Sequence, residues 1–350
     1  MDNRRPENTN PPSPFSGLRI DSKELKNIPL PGRVDELIGG ELDEVEEIFQ
    51  QELASTNPYV SDVFAHVSHF RGKRLRPMLV LLSAAATGEI NADHKVLAAV
   101  VEMIHTATLV HDDVLDEAAT RRHVATVNAR WNNETSVLFG DYLFTHAFHL
   151  ASSLDTTFAC RVIGRSTNIV CEGELSQIHE RGNFDLDEAG YLQIIDGKTA
   201  ELCAVCCLLG AHYADADESV VASLENYGRY LGIAFQIADD LLDILGNEAE
   251  TGKSLGTDFE KQKLTLPLIR LLSQSDERDA QTIRELLANP THSTWQQLLP
   301  NIEKSDAVEY SQGKANHYAA QAREQLESLP ETSAKTILEA ITEFATQRTF

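Results

Sequence analysis

Two aspartate clusters of one pattern stand in this chain, Asp112-Asp113-Val114-Leu115-Asp116 and Asp239-Asp240-Leu241-Leu242-Asp243. Apolar residues precede each: Met103-Ile104 and Leu109-Val110 before the first, Phe235, Ile237 and Ala238 before the second. On a helix, the first and last aspartates of a cluster are i,i+4 neighbours on one face. Carboxylates stacked on a buried face repel one another unless a cation lies between them. An all-oxygen donor set suits Mg²⁺, which keeps several waters and bridges to substrate phosphates. Two such faces turned toward each other would cage a diphosphate held by metal ions. One cluster alone is a weak signal in so acidic a chain, whereas a second of the same form is not. A pair of solvated acidic helix faces fits poorly with helices that carry apolar residues on more than one side.

The 350 residues include 30 basic and 54 acidic side chains, for a net charge of −24. That balance excludes a general binder of nucleic acid or anionic membranes but leaves room for a local cationic pocket. The basic residues gather at Arg71, Lys73, Arg74 and Arg76, and again at Arg121-Arg122, where an anionic ligand is expected. Cys203, Cys206 and Cys207 have zinc-like spacing, but they lie in an apolar run with no second CxxC and no nearby His pair. They read as free core thiols of a reducing compartment.

Helical periodicity covers residues 41–53, 74–86, 96–116, 136–153, 158–181, 191–213, 219–245 and 264–273, and no convincing alternating strand run appears. The last third, 279–288 and 307–350, is more polar and is expected to pack outside the core. Residues 1–30 are polar and Pro-rich and read as a disordered tail, leaving 31–350 as one all-α domain, a large helical bundle. No run of about 18 uncharged apolar residues exists, so no membrane span is expected and a cytoplasmic location is the default.

With these landmarks in order, the chain resembles the trans-prenyltransferases, the polyprenyl diphosphate synthase family. The resemblance rests on Gly72-Lys73-Arg74-Leu75-Arg76-Pro77, His105, His111 with the first aspartate cluster, and Arg121-Arg122. Gly140-Asp141-Tyr142-Leu143, Gly173-Glu174-Leu175-Ser176-Gln177 and Lys198-Thr199-Ala200 follow. Phe235-Gln236 leads into the second cluster, and Gly252-Lys253, Gly256, Asp258 and Lys263-Leu264-Thr265-Leu266-Pro267 complete the set. The resemblance implies an isoprenoid-synthase bundle around a central substrate tunnel, working as a homodimer. It implies head-to-tail condensation of isopentenyl diphosphate with an allylic diphosphate, assisted by several Mg²⁺ ions, with Mn²⁺ able to substitute. Neither nucleic acid nor stable membrane insertion is part of that reading.

The resemblance also assigns roles. Asp112, Asp116 and Asp239 are the leading metal ligands, with Asp113, Asp240 and Asp243 as supporting or water-mediated ones. Arg121, Lys198, Lys253 and Lys263 contact the allylic diphosphate, helped by Thr199 and Gln236. Lys73, Arg76, His105 and Arg122 hold isopentenyl diphosphate. Two spacings agree: Lys73 and Arg76 are i,i+3 neighbours, and His105 lies two turns before Asp112 on the same face.

Product length is expected to depend on Ala107 and Thr108, small residues just before the first cluster. Together with the four residues between Asp116 and Arg121, they resemble the long-chain synthases. Phe144, Phe148 and Leu150 are candidate floor residues. Two departures stand out. His123 and Ala125 occupy places where the family usually has Gly and Pro, and Gln262 replaces a usual Gly before Lys263. His at a glycine position implies a strained or reshaped loop. The competing readings are a shorter-chain farnesyl or geranylgeranyl diphosphate synthase, a non-catalytic partner subunit and a terpene cyclase. The intact second cluster and the Lys73/Arg76 grip speak against the last two.

Overall fold

The computed structural model describes residues 29–70, 72, 74–246 and 255–346. The expected tail, apart from its final two residues, lies outside the described residues, and so do Lys73 and Lys253. The described chain is almost entirely helical. In order come α1 (Leu30–Glu52), α2 (Pro58–Val67), α3 (Leu75–Thr87), α4 (Ala92–Leu115), α5 (Asn133–Ala151), α6 (Phe158–His179) and α7 (Glu188–Ile195). They continue with α8 (Glu201–His212), α9 (Glu218–Leu245), α10 (Leu266–Gln274), α11 (Glu277–Ala288), α12 (His292–Lys304), α13 (Ala307–Gln325) and α14 (Ser333–Thr346).

Local sequence sets where α4, the helix of the first cluster, begins. Asn91 caps it, accepting from His94 N at 3.2 Å, while His94 Nδ1 accepts from Asn91 N at 3.0 Å. The other ring nitrogen of His94 then donates to Gly210 O at 3.0 Å and ties α4 to α8. Downstream, Leu97, Val100, Val101, Ile104, Ala107 and Val110 are fully or almost fully buried, with α5 packed along α4. Each large aliphatic among them contributes about 1.5–3 kcal/mol of burial.

Apolar on nearly every side, α8 is the central helix, lying against α3 and α9. A Cβ at Gly210 would lie 2.3 Å from Val80 O, so only glycine permits this approach of α8 to α3. Cys203, Cys206 and Cys207 are buried free thiols of α8, as read from the sequence.

Three sequence expectations change. The last third does not sit outside the core: α13 runs along α9, and Ile337, Leu338 and Ile341 of α14 join the main apolar cluster. Buried Ala315, Ala319 and Ala322 make a narrow seam that polar neighbours in sequence obscure. The expected helix 191–213 is interrupted by a π turn, Asp196–Ala200, between α7 and α8. A two-residue hairpin, Thr120–Arg121 paired with Val124–Ala125, forms where no strand was expected. Its turn residues Arg122 and His123 have φ of +51° and +65°. Such paired left-handed residues define the tight turn that matches strand twist. His123 therefore adopts the glycine-type conformation its position demands, at a cost of about 1 kcal/mol. Gln262, the other glycine replacement, is likewise left-handed at +53°.

Candidate active site

Both aspartate clusters lie at or near helix C-termini, Asp112 and Asp113 in the last turn of α4 and Asp239 to Asp243 in the last two turns of α9. Unpaired carbonyls give a helix C-terminus partial negative charge, so carboxylates gathered there need facing cations. Asp116 caps α4, its N–H donating to Asp112 O at 2.8 Å, which stacks the two aspartates as their spacing implied.

Cations converge on this first wall. Asp113 is 1% exposed and receives a fork from Arg121, Nε at 3.0 Å and Nη2 at 2.8 Å to Oδ1. Asp116 meets Arg181 Nη2 at 2.8 Å through Oδ1, and Lys261 and Lys263 Nζ at 3.0 and 3.4 Å through Oδ2. Burial pushes the Asp116 carboxyl up, but Lys263 and Lys261 outweigh it and hold the group below its ordinary value. Among the described residues no side chain donates a hydrogen bond to Asp112. Burial pushes its carboxyl up to about 6, with Glu174 and Asp116 adding to the effect and Lys198 opposing it.

At the second wall, Asp240 is 5% exposed and both its oxygens are taken, Oδ2 by Tyr191 OH at 2.6 Å and Oδ1 by Gln236 Nε2 at 2.8 Å. Gln236 in turn accepts from Thr199 Oγ1 at 2.9 Å. The Asp243 carboxylate caps the segment after α9. Thr257 N and Oγ1 reach Oδ1 at 3.1 and 2.7 Å, and Asp258 N reaches Oδ2 at 3.1 Å. Burial and Arg121 hold Arg122 below its ordinary basicity, with Glu102 and then Asp239 opposing them.

Lysines join the walls. The π turn points Lys198 between Glu174, with which it pairs, and Gln177, whose Oε1 accepts at 2.8 Å. A Cβ at Gly173 would sit 2.5 Å from Lys198 N, so α6 touches the π turn backbone to backbone only through this glycine. Extra residues in single π turns recur at functional sites. Lys198 and Lys263 act electrostatically on Asp112 and Asp116 and also line one cleft with Tyr191, Thr199, Gln236 and Asp240. The second cluster, through Asp240, thus opens on a cleft lined by the two lysines that act on the first.

A second cationic group lies beside the first. His105 is half-buried, and desolvation followed by Arg76, Arg121 and Arg122 pushes its pKa well down, leaving a neutral ring. Arg76 Nε is buried with no hydrogen-bond acceptor among the described residues. Arg122 Nη1 donates to Phe70 O at 2.5 Å, and His66 Nε2 holds the hairpin at Ala125 O, 2.7 Å away. The hairpin is thereby fastened to α2 and to Phe70 just beyond it.

The residues fit divalent cations with a diphosphate. No three His, Cys, Asp or Glu side chains among the described residues could hold an ion by themselves. Mg²⁺ commonly takes only one or two carboxylates and completes its shell with waters and phosphate oxygens. Asp112, a half-buried and under-compensated carboxyl, answers to that need; burial and Asp258 push Asp243 up to about 6 as well, though Thr257 and Asp258 take its oxygens. An acid with a raised folded pKa binds its proton more tightly folded than unfolded. Each of these groups therefore lowers stability as pH rises from about 4 to about 6. A cation at the site offsets this above pH 6 and must displace protons below it. Thermal stabilisation by Mg²⁺ is expected to need several-fold more metal at about pH 5.5 than at about pH 7.5. Superimposable dose curves from differential scanning fluorimetry at the two pH values would contradict this.

Sequence reasoning missed the roles of Glu174, Gln177 and Tyr191 as holders of Lys198 and Asp240, and the arrival of Arg181 and Lys261 at Asp116. Only Glu174 and Gln177 carried a signal, through their motif. The chain-length pair separates: Ala107 is fully buried, while Thr108 is partly exposed with its hydroxyl bonded to His105 O at 2.8 Å.

Known proteins show the same organisation. The family described as polyprenyl synthetase matches residues 57–300. The all-trans-nonaprenyl-diphosphate synthase (geranyl-diphosphate specific) of Rhodobacter capsulatus is 37% identical over 305 residues, covering 87% of this chain and 94% of that protein. The octaprenyl diphosphate synthase of Escherichia coli is 33% identical over 318 residues, covering 90% and 98%. A Caulobacter crescentus polyprenyl synthase, solved with calcium and isoprenyl diphosphate, superposes with a TM-score of 0.87 at 34% identity, covering 91% of this chain and 97% of that one. Two acid-bearing helix ends met by lysines, and matches that span most of each chain, place this protein in the polyprenyl synthetase family.

Proposed function

We propose that this protein is a trans-prenyltransferase joining isopentenyl diphosphate head to tail to an allylic diphosphate, building a medium- or long-chain all-trans polyprenyl diphosphate. The observation that carries this reading is that Lys198 and Lys263, whose charges act on Asp112 and Asp116 of the first cluster, line one cleft with Asp240 of the second. In this assignment Asp112, Asp116 and Asp239 hold the metal. Mg²⁺, or Mn²⁺ in its place, supplies when bound the positive charge that lets a diphosphate depart. Arg121, Lys198 and Lys263 direct their charge at the departing oxygens, and Thr199 with Gln236 orients the same group. Lys253 and Lys73 complete the two grips by resemblance. Arg76, Arg122 and neutral His105 anchor the second diphosphate, so its alkene faces the carbon losing the C–O bond. The alkene attacks that carbon, and the released diphosphate takes up the proton, so no protein base is assigned.

Asp113, Asp240 and Asp243 are assigned positioning roles, because Arg121, Tyr191 with Gln236, and Thr257 with Asp258 occupy their oxygens. Residues from 31 onward act as one domain around the tunnel. No described helix is long and apolar enough to cross a membrane. Leu138 and Leu175 stand 68% and 66% exposed on α5 and α6, the kind of surface a second copy would cover in a homodimer.

Incubation with labelled isopentenyl diphosphate, each allylic starter and Mg²⁺, followed by sizing of the dephosphorylated alcohols, tests the activity. Elongation to several added units is expected. A folded, metal-binding protein that elongates no starter would favour the partner-subunit reading. Chain length is assigned to the Ala107-Thr108 pair, with the tilted Phe144 and Phe148 rings, 5.9 Å apart, further along. Ala107→Phe and Thr108→Phe are both expected to shorten the product by several five-carbon units. Thr108→Phe should disturb folding less, since Ala107 is packed solid. An unchanged product profile in both variants would remove this assignment.

A further inference from the structure

We propose that Arg181 and Lys261 are two further diphosphate-binding cations, resting on Asp116 until a metal-bound diphosphate takes their place and their charge. The inference rests on the reading of Asp116 as a metal ligand. Its grounds are geometric. Arg181 Nη2 covers one oxygen of Asp116 at 2.8 Å, and Lys261 Nζ covers the other at 3.0 Å, with Lys263 at 3.4 Å. A metal ligand with both oxygens masked by side-chain cations must exchange those partners when the ion arrives. The displaced cations then stand beside the newly delivered anion.

These two residues come from segments distant in sequence that one device holds together. Gly182 N donates to Gln262 O at 3.0 Å, and both residues have left-handed backbones, φ +77° and +53°. The bond joins the residue after Arg181 to the residue after Lys261, so both cations are presented from one braced double loop. Gln262 secures the brace, its Nε2 donating to Ala288 O at 3.2 Å and Leu287 O at 3.4 Å at the end of α11. Arg181 Nε is buried and has no acceptor among the described residues, so the guanidinium retains an unused donor. Arg181 and Lys261 are 26% and 30% exposed, enough shielding for their charge to count and enough access to move. A static surface ion pair would require neither the brace nor three cations on one carboxylate.

Calorimetric titration separates the two roles, because they predict effects of opposite sign. Lys261→Met and Arg181→Met are each expected to bind Mg²⁺ alone several-fold more tightly, since one competitor for Asp116 is gone. With Mg²⁺ saturating, each is expected to bind inorganic pyrophosphate about tenfold more weakly, the usual worth of one charge-assisted contact. Arg181→Lys and Lys261→Arg keep the charge and should retain most of the pyrophosphate affinity, and they serve as the test if a Met variant fails to fold. Wild-type pyrophosphate affinity in the Met variants would overturn the proposal while leaving the metal site standing. Loss of pyrophosphate affinity in the charge-retaining variants as large as in the Met variants would also overturn it, by making the effect one of loop structure. If the wild-type protein binds neither Mg²⁺ nor pyrophosphate, the reading of Asp116 itself fails and this inference with it.

Discussion

Asp112→Asn is expected to slow elongation at saturating substrate by about two to three orders of magnitude. The change keeps shape and removes only the charge of the one first-cluster carboxylate that no described side chain hydrogen-bonds. Without it, Lys198 keeps its pair with Glu174 but loses the attraction of Asp112, and in the proposed function the metal loses a ligand. The same substitution is expected to leave the metal-free protein as stable as wild type or more so. Burial already pushes the Asp112 carboxyl up to about 6, so at neutral pH the wild-type charge is held at a cost that Asn removes. Single-turnover rates and thermal melts on the same preparation check both halves. A rate within tenfold of wild type would remove Asp112 from the machinery. A large fall in melting temperature would turn its role into a structural one.

Gly173→Ala is expected to cost about 1–3 kcal/mol of stability and to lower kcat about a hundredfold. Its added methyl would meet Lys198 N at 2.5 Å and Gly197 C at 3.0 Å, main-chain atoms that cannot rotate away. Helix α6 and the π turn must then separate, and the Glu174 and Gln177 contacts that aim Lys198 go with them. Gly313→Ala on α13 is the control. Nothing lies within 4 Å of its would-be Cβ, so a gain of about 0.5–1 kcal/mol with unchanged turnover is expected. Chemical denaturation and steady-state kinetics measure both. Equal behaviour of the two variants would show that the close approach at Gly173 does not set the position of Lys198.

The helices were legible because apolar periodicity over 20 or so residues leaves few alternatives, and α4 and α9 emerged with their clusters correctly placed at their ends. The π turn at Lys198 was not legible, since one extra residue in a turn shifts the pattern less than a single surface substitution would. Alanine seams hid α13 from the core because the signal of burial there is small size rather than hydropathy. At the site, spacing gave the stacking of Asp112 on Asp116, which follows from helix geometry alone, as does the i,i+4 bond of Gln236 to Asp240. What spacing could not give was partnership across the fold. Tyr191 on Asp240 and Lys261 on Asp116 join residues 49 and 145 positions apart. The departures His123 and Gln262 proved the more informative residues. Their left-handed backbones mark two turns where the resemblance implies glycine, and both turns carry or adjoin cations, Arg122 at one and Lys261 with Lys263 at the other.

The central claim is that Asp112 and Asp239, 127 positions apart in the chain, serve a single ion cluster. A double-mutant cycle on pyrophosphate affinity in saturating Mg²⁺, using Asp112→Asn, Asp239→Asn and the pair, addresses it most directly. The account predicts that each single variant loses about a hundredfold or more and that the double variant loses scarcely more than either, the non-additivity of residues that share one partner. Losses that simply add, or a variant at either aspartate that binds pyrophosphate like wild type, would contradict it.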